Sequence, residues 1–427
     1  MQHSIFMLLE VLLALGVVYV FWKERIFPMP FGLAFTAPLQ GVRTSQSYPA
    51  NQLMPDIERM LMLLEPYQTP FLQWLMFSNA GNSKKVINKT GKYSWFEDEF
   101  FPYQTTLLSD FAGGSATGNI VVASATGLYL KVGDIVLLES SDQMGYVTVI
   151  STDTITISTM DGSTVLLAAT AGDYVKIIGN LNNEYAGTPV AMSTEAIERY
   201  NYLTIFTESV ATTGRDEAGE AWTDGESHDE QLEKKIKELK LKVERFMLLS
   251  TATPATRTIS SYLWTYGQGL LGRVTTNAQS YTSGSLTETI WNNYWSKVLS
   301  KGSNRRHHYV GSQQMADINT LFGSKSVPNT TITTEYGVDM KRWVSTFGIV
   351  DIIWDPILDG KYSKYGISID PGTVKLRYMA NDKKGSRKFR VEENVETPGY
   401  DGTTDKILMD VGIELPNEEK AGKLYGI

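Results

Sequence analysis

The segment that follows Ser227 predicts a long amphipathic helix, and this helix limits the possible folds more than any other part of the chain. Ser227 and Glu230 form the Ser-x-x-Glu capping box with which many helices begin. Apolar side chains then recur at steps of three and four residues: Leu232, Ile236, Leu239, Val243 and Phe246. Three pairs four residues apart have Glu on the N-terminal side, which stabilises a helix: Glu230–Lys234, Glu233–Lys237 and Glu238–Lys242. We expect a helix over His228–Leu249, about 33 Å long, with one face buried against a core.

The composition indicates a folded protein of two or three domains. The chain has 427 residues, more than one hydrophobic core usually holds, and 42% of them are apolar. It has no cysteine, which excludes disulfides, thiolate zinc sites and cysteine nucleophiles, and its four histidines disfavour a histidine-rich metal centre. The net charge is −8 and the sequence shows no basic stripe, so we do not expect tight binding of duplex DNA through many phosphate contacts.

The N-terminal region contains an apolar run, Ser4–Trp22, that only Glu10 interrupts. The run is long enough to span a bilayer. Its basic residues, Lys23 and Arg25, follow it rather than precede it, so a signal peptide fits poorly. Three interpretations remain open: a membrane anchor, a packed or cleaved N-terminal helix, or a natural start near Met29. No segment after the run approaches the length of a membrane span.

An extended arm, two helices and a strand are predicted before residue 102. Three prolines and two glycines mark Ile26–Ala50 as an irregular arm. Leu53–Leu64 places its apolar residues on one helical face. A second helix should start at Pro70, with Thr69 as its N-cap. Lys92–Phe101 alternates in polarity and is expected to be a strand.

The stretch Thr106–Ala191 has the composition of a small all-β unit, since it is poor in charge and rich in Thr, Ser, Val and Ile. Five short strands are predicted at regular spacing: Gly118–Ala123, Ile135–Glu139, Tyr146–Ile150, Thr154–Ser158 and Tyr174–Ile178. Two related pieces, Val132–Val136 and Ala171–Val175, each consist of a Gly-Asp turn followed by a strand. We expect a small β-barrel or sandwich inserted into a larger domain.

The rest of the chain mixes helices and strands. Helices are predicted at Thr287–Ser300 and Ser312–Phe322. Single strands are predicted at Val344–Trp354, Gly366–Ile369 and Thr373–Tyr378. A closing antiparallel pair is predicted from Lys388–Glu396 and Lys406–Glu414. The predicted fold class is therefore α+β.

Several of these stretches together resemble a known family. The extended segment Tyr202–Gly214 contains Phe-Thr-Glu-Ser-Val, and the long helix contains Glu233-Lys-Lys-Ile-Lys-Glu-Leu-Lys. Thr69-Pro-Phe-Leu precedes them, and the stretches that follow are Glu335-Tyr-Gly-Val-Asp, Ser345-Thr-Phe-Gly-Ile-Val, and Asp370 before Val374-Lys-Leu-Arg. In this order the motifs resemble the major capsid proteins of tailed bacteriophages, over roughly residues 56–413.

That family is similar to the Hong Kong ninety-seven capsid fold. The resemblance implies an N-terminal arm, an extended β loop, a peripheral domain with a long spine helix at residues 228–249, an axial domain, and here an inserted small all-β domain. The expected division begins with residues 1–28, an apolar N-terminal helix without an assigned role, and residues 29–66, the arm and its helix. The extended loop region comprises residues 67–105 and 196–212, and the inserted β-barrel-like domain between them comprises residues 106–195. The peripheral domain comprises residues 213–255 and 385–427, and the axial domain residues 256–384.

The resemblance implies a structural protein of the virion and not an enzyme. Such a major capsid protein assembles with itself, as pentamers and hexamers joined by arm, loop and ring contacts, into an icosahedral shell that encloses double-stranded DNA without sequence-specific binding. Portal, scaffold or decoration proteins would be further partners, the host cytoplasm the place of assembly, and expansion the route of maturation. No cofactor is expected, and no catalytic, cofactor-binding or metal-binding residue. The alternative is a membrane-anchored β-rich surface or envelope protein, and a carbohydrate-processing enzyme is the weakest hypothesis.

Three local clusters contain residue types that can form chemical sites. Glu97, Asp98 and Glu99 alternate between the two faces of a strand, which does not suit a glycosidase pair, so we expect a solvated loop or intersubunit salt bridges. Arg305–His308 is expected to be a surface cluster, since tandem histidines lack the spacing of two metal ligands on one helical face. Gly113–Gly118 lacks the Gly-Lys-Ser/Thr ending of a phosphate loop.

Overall fold

The computed structural model describes residues 69–77, 83–124, 126–182, 184–185, 187–188, 191–219, 227–323, 330–335 and 338–427. These residues all belong to one unit, Met62–Ile427. The predictions for residues 1–28, for the arm at Ile26–Ala50 and for the helix Leu53–Leu64 lie outside the described residues. Among the residues described, no helix combines the length and the apolar character needed to cross a membrane.

The described residues form helices and strands in a mixed order, which confirms the α+β class. The helices are α1 (Pro70–Phe77), α2 (Gly214–Ala218), α3 (His228–Leu249), α4 (Leu270–Arg273), α5 (Glu288–Val298) and α6 (Ser312–Gly323). The strands are β1 (Lys84–Val86), β2 (Lys92–Glu97), β3 (Gln104–Thr106), β4 (Thr117–Val121), β5 (Asp134–Leu138), β6 (Gln143–Ser151), β7 (Thr154–Thr159), β8 (Tyr174–Asn180), β9 (Ile197–Tyr202), β10 (Thr204–Thr212), β11 (Ala255–Ile259), β12 (Tyr262–Tyr266), β13 (Ala278–Tyr281), β14 (Arg305–Val310), β15 (Thr330–Glu335), β16 (Val338–Val344), β17 (Ile349–Trp354), β18 (Tyr365–Ile369), β19 (Lys375–Met379), β20 (Arg390–Glu392), β21 (Thr403–Glu414) and β22 (Gly422–Gly426).

The long helix α3 begins and ends where the sequence predicts. The Ser227 side chain accepts a hydrogen bond from the Glu230 backbone N–H, and the Glu230 side chain accepts one from the Ser227 N–H, so the capping box is complete. Of the predicted ion pairs, Glu233–Lys237 is present at 3.2 Å. The pair Glu238–Lys242 is not formed, because Lys242 contacts Glu208 of β10 and Glu238 contacts Lys235.

The main core joins α3 to a sheet whose strands are distant in the sequence. In that sheet β21 pairs with β10 over nine residues and also with β19 and β20, and β1 is the outer strand beside β19. The pairing of β20 with β21 confirms the predicted closing antiparallel pair. Buried side chains of α3, among them Leu239, Val243 and Met247, lie in one cluster with Ile407 and Met409 of β21. Burying several such side chains stabilises the packing by about 1.5–3 kcal/mol each.

A second, seven-stranded sheet has the order β13-β22-β18-β14-β17-β16-β15. It takes six strands from residues 278–369 and one, β22, from residues 422–426, so it joins residues of the expected axial and peripheral segments. The indoles of Trp291 and Trp295 on α5 pack edge to face, with Trp343 of β16 beside them. The prediction of a single strand over Val344–Trp354 is wrong. A turn closed by hydrogen bonds between Ser345 and Gly348 separates β16 from β17.

The short strands predicted between residues 106 and 191 are present. They form a separate six-stranded sheet of order β3-β8-β5-β6-β7-β4, with its own core of aliphatic side chains. The two repeated Gly-Asp turns have one geometry: Gly133 and Gly172 have φ near +94° and +93°. Asp134 accepts a hydrogen bond from the backbone N–H three residues earlier, and Asp173 does the same. The sequence repeat is therefore a repeated turn that starts β5 and β8.

Candidate functional site

The stretch Arg305–His308, predicted to be a surface cluster, is buried apart from Arg305. It forms most of β14, which lies inside the seven-stranded sheet between β17 and β18. Arg306 and His308 have no exposed surface, and His307 is nearly covered. The prediction is wrong because the position of β14 depends on strands that are distant in the sequence, and local charge does not reveal their arrangement.

The buried guanidinium of Arg306 holds the loop between α5 and β14. It donates hydrogen bonds to four backbone carbonyl oxygens: those of Ser303 at 2.5 Å, Arg305 at 2.9 Å, Val298 at 3.1 Å, and Lys301. Asp370 lies 3.5 Å away and balances its charge. The last carbonyls of a helix lack partners within that helix, so Arg306 satisfies the end of α5. Its contacts are those of a structural residue.

The two histidines of β14 point to opposite faces of the sheet, as neighbours on a strand do. Burial lowers the pKa of His308 to about 3, so its ring is neutral, and its Nδ1 lies 2.8 Å from the Ser368 hydroxyl. His307 packs against Trp74 and lies 3.8 Å from Asp351. Across the described ranges, no three His, Asp or Glu side chains are grouped as a metal site would require.

The acidic trio at the end of β2 divides into two kinds of residue. Asp98 and Glu99 are exposed, as expected. The prediction of a solvated position is wrong for Glu97, whose Oε1 accepts hydrogen bonds from Trp95 Nε1 at 2.6 Å and from Asn417 N at 2.9 Å. Arg273 lies 3.8 Å from the same oxygen. Glu97 joins β2 to the end of the chain because these donors come from segments that the local pattern does not reveal.

A buried carboxyl pair in the main core was not predicted. Glu244 of α3 and Asp355 after β17 have no exposed surface. Burial raises the pKa of Glu244 well above its ordinary value and raises the pKa of Asp355 to about 6, and each is hydrogen-bonded to the other. Glu244 Oε1 also accepts from the Phe71 N–H of α1 at 2.9 Å. Two buried carboxyls this close cannot both be ionised, so we infer that the pair holds a proton. Glu244 itself fastens α1 to α3. The one signal in the sequence was a Glu beside Val243 of the apolar stripe.

The strands β2 and β9 form a two-stranded ribbon with one covered and one open face. Tyr93 and Trp95 point inward and are buried. On the open side Phe96 is 72% exposed, and Phe100, just beyond the ribbon, is fully exposed. The strand β2 lies within the predicted strand Lys92–Phe101 and ends at Glu97. Exposed aromatic side chains in such number mark a surface for binding another macromolecule.

A second exposed hairpin, β11–β12, was not predicted. Its two-residue turn, Ser260–Ser261, has positive φ at both positions, which suits a tight β-hairpin. Tyr262 is 75% exposed, Trp264 58%, and Leu263 about half. The sequence does contain an apolar run, Tyr-Leu-Trp, after two serines. The run is too short to show the periodicity of either a helix or a strand.

The glycine-rich stretch Gly113–Gly118 is part of the six-stranded unit. The Gly114 N–H donates to Leu166 O at 2.9 Å, and a side chain at Gly118 would collide with the ring of Phe111. Gly113 and Gly118 thus allow close packing of the chain within this unit.

Comparison with known proteins identifies one family. A family model described as "SU10 major capsid protein" matches residues 40–427. No curated protein matches the chain. Among solved structures, "Mycobacterium phage Bobi" shares 10% identity, with 90% of this chain and 99% of that chain covered and a TM-score of 0.46. "Capsid of native GTA particle computed with C5 symmetry" shares 7% identity, with 91% and 99% covered and a TM-score of 0.46. The holo-SrpI encapsulin of Synechococcus elongatus shares 15% identity, with 54% and 77% covered and a TM-score of 0.42.

Proposed function

The chain belongs to the SU10 major capsid protein family, and we propose that its copies build the icosahedral shell of a tailed phage. In this proposal the copies join through the arm, the β2–β9 ribbon and the β11–β12 hairpin. A major capsid protein is a structural component of the virion and not an enzyme. Neither the family match nor the described part of the chain gives support to the alternative of a membrane-anchored surface protein.

The exposed apolar hairpins are the observation that carries this proposal. A shell subunit must bind several neighbours, and heterologous contacts that repeat with a fixed rotation close into rings. Obligate interfaces of this kind are large and rich in aromatic residues. Phe96 and Phe100 beside the ribbon, and Tyr262 and Trp264 on the hairpin, offer such side chains to a neighbour.

The division of the chain into domains is part of the proposal. We assign α3 as the spine helix of a peripheral domain, together with the sheet of β1, β10 and β19–β21 that it packs against. The seven-stranded sheet with α5 and α6 is the axial domain, the β2–β9 ribbon is the extended loop, and residues 106–195 are the inserted β domain. This assignment places residues 422–426 with the axial domain because β22 pairs with β18 and β13.

The proposed partners beyond the chain itself are portal, scaffold or decoration proteins and the enclosed double-stranded DNA. The net charge of −8 favours enclosing DNA without gripping it, since each tight phosphate contact would need a basic side chain. Such a shell keeps the genome free to be packaged and released.

Purification of the full chain without detergent tests the proposal. We expect the protein to sediment as large particles and to show closed shells by negative-stain microscopy. Deleting residues 26–50 should leave a soluble fold that forms no closed shells. A chain that stays monomeric at high concentration, or that needs detergent for extraction, contradicts the proposal.

Variants of the β11–β12 hairpin give a sharper test. Changing Tyr262 and Trp264 together to Ser should leave the thermal unfolding of the subunit nearly unchanged, because both rings are exposed, but should reduce particle yield. The matched control is Tyr400→Ser, which removes another exposed ring outside these surfaces. Equal yields from the hairpin variant and the control would remove the hairpin from the proposed contacts.

A further inference from the structure

The six-stranded unit has an acidic and apolar end, which we call the tip and define as residues 139–144 and 159–174. Four acidic residues lie in the tip: Glu139, Asp142, Asp161 and Asp173. The tip has no basic residue. Lys176, two residues beyond the tip, forms a 2.9 Å ion pair with Glu139. The tip therefore presents a surplus of negative charge to solvent.

Apolar side chains are exposed between these carboxylates. Met144, Met160, Val165, Leu167 and Tyr174 each have about half of their surface open to solvent. Gln143 connects them into one surface, since its Nε2 donates to Val165 O at 3.1 Å and its Oε1 accepts from Leu167 N at 2.7 Å. A patch that mixes exposed apolar groups with charge of one sign is typical of a binding surface.

The tip lies away from the points where the unit joins the rest of the chain. On β8 the tip contains the first residue, Tyr174. The incoming chain meets the middle of β8, where Tyr103 O accepts from Ile177 N at 2.7 Å, and β3 then follows β8 as far as Tyr174. The outgoing chain leaves at Leu181, whose N–H donates to Gly133 O at 2.7 Å. The incoming strand thus covers one edge of the tip, while the exposed side chains of the tip remain available to another molecule.

A complementary surface lies on the outer strand β1 and the residues just after it, and we call it the basic edge: Lys84, Lys85, Ile87 and Lys89. All four residues are exposed, and Ile87 is 84% exposed. In the part of the chain that the structure describes, none of the three lysines has an ion-pair partner. Lysines on an outer strand discourage indiscriminate strand addition, so a partner for this edge must supply negative charge.

We propose that the tip of one subunit docks on the basic edge of a second copy of this chain. The inference rests on the proposed function, in which copies of the chain surround one another. Each surface combines exposed apolar groups with charge, and the charges are opposite. The contact joins two different surfaces, so it is heterologous and extends from copy to copy, as a shell requires. Nucleic acid suits the pair less well, because phosphates are repelled by the tip and three lysines make few phosphate contacts.

Charge reversal on each surface, alone and combined, tests the docking in the full chain. The tip variant is D142K/M144K/M160K and the edge variant is K84E/K85E/K89E, all at exposed positions. With Glu139 paired to Lys176, the first makes the tip positive, and the second makes the edge negative. Each should raise the protein concentration needed for half-maximal particle formation about tenfold or more, because like charges then face each other. The variant with all six changes should return to within about threefold of the wild type, since opposite charges meet again.

The control is E195K/E393K, which changes the charge at two exposed acidic positions outside both surfaces and should assemble like the wild type. Circular dichroism and thermal unfolding check that every variant folds. The differences between variants should shrink in about 0.5 M NaCl, where charges are screened over a few ångströms.

Each result has a definite meaning. If the edge variant assembles at the wild-type concentration, or the combined variant is no better than the edge variant, the docking is refuted while the shell function stands. If edge-variant particles form normally but hold less nucleic acid, the basic edge contacts the genome and the docking is likewise refuted. If the wild type forms no particles at all, the proposed function itself fails, which no variant is needed to show.

Discussion

Raising the pH should loosen the contact between α1 and α3, because the buried pair Glu244–Asp355 holds a proton. Burial raises the pKa of Asp355 from 3.8 to about 6 and raises the pKa of Glu244 well above its ordinary value. A group whose pKa is higher in the folded than in the unfolded state stabilises the fold fully below its unfolded pKa, and this stabilisation disappears as the pH rises through the folded pKa. A rise of about two pKa units corresponds to about 3 kcal/mol. Through Asp355 alone, the free energy of unfolding should therefore fall by about 2 kcal/mol between pH 4 and pH 8, because at pH 4 the unfolded Asp355 is already partly ionised.

The variant Glu244→Gln isolates this contribution. Its amide can still accept from the Phe71 N–H and can donate to Asp355 without a shared proton, so its free energy of unfolding should depend less on pH between 4 and 8. Other carboxyls act in the opposite direction. Although burial alone would raise the pKa of Asp351, hydrogen bonds from Arg342 and Arg305 hold that pKa below its ordinary value. Subtracting the variant's free energy of unfolding from that of the wild type at each pH cancels the contribution of these other carboxyls.

Urea unfolding at pH 4.5, 6 and 8, followed by tryptophan fluorescence, measures the effect. The matched control is Glu238→Gln on the open face of the same helix, which makes the same Glu-to-Gln change at a partly exposed position and leaves the buried pair intact. Parallel pH profiles for the wild type and Glu244→Gln would refute the shared proton and the reasoning from burial.

Three further changes test the structural contacts. Arg306→Met should lower the free energy of unfolding by about 3–5 kcal/mol, because it leaves Asp370 buried without its cation, and an undiminished stability in urea would show that the loop carbonyls find other donors. Ser227→Ala should cost about 1 kcal/mol through loss of the capping box, measurable in the same unfolding assay, with no loss speaking against the cap. Gly133→Ala should lower the melting temperature more than Gly172→Ala does. A Cβ at position 133 would lie 2.7 Å from a backbone oxygen, whereas one at position 172 meets nothing within 4 Å. Equal melting temperatures for the two variants would contradict this argument.

Local signals made part of the fold predictable. The helix α3 begins at a capping box and carries its own apolar stripe, so both ends could be predicted from neighbouring residues. The repeated Gly-Asp turns at Gly133 and Gly172 depend only on a positive φ and on an Asp that binds the preceding turn. The alternating strands between them follow from the same local chemistry.

Burial of polar residues was not predictable. Arg306 looks like a surface residue in the sequence, and it is buried because β17 and β18 enclose β14 from both sides. Glu97 finds its donors at Trp95 and at Asn417, which is more than three hundred positions later. Each depends on long-range pairing, about which the local pattern carries no information. The exposed hairpin β11–β12 was missed for the opposite reason, since an apolar run suggests burial.

The pairing of β21 with β10 has a consequence for the order in which the chain folds. The six-stranded unit closes on strands from residues 104–180 alone, so it can form while later residues are still being synthesised. The strand β10 must wait for Thr403–Glu414, about two hundred residues later, before its edge is covered. Contacts between distant residues form slowly, because a long loop must close first. In that interval an open strand edge is exposed to other nascent chains. We therefore expect the arrival of β21 to limit the rate at which competent subunits accumulate, and chaperones to act at that step.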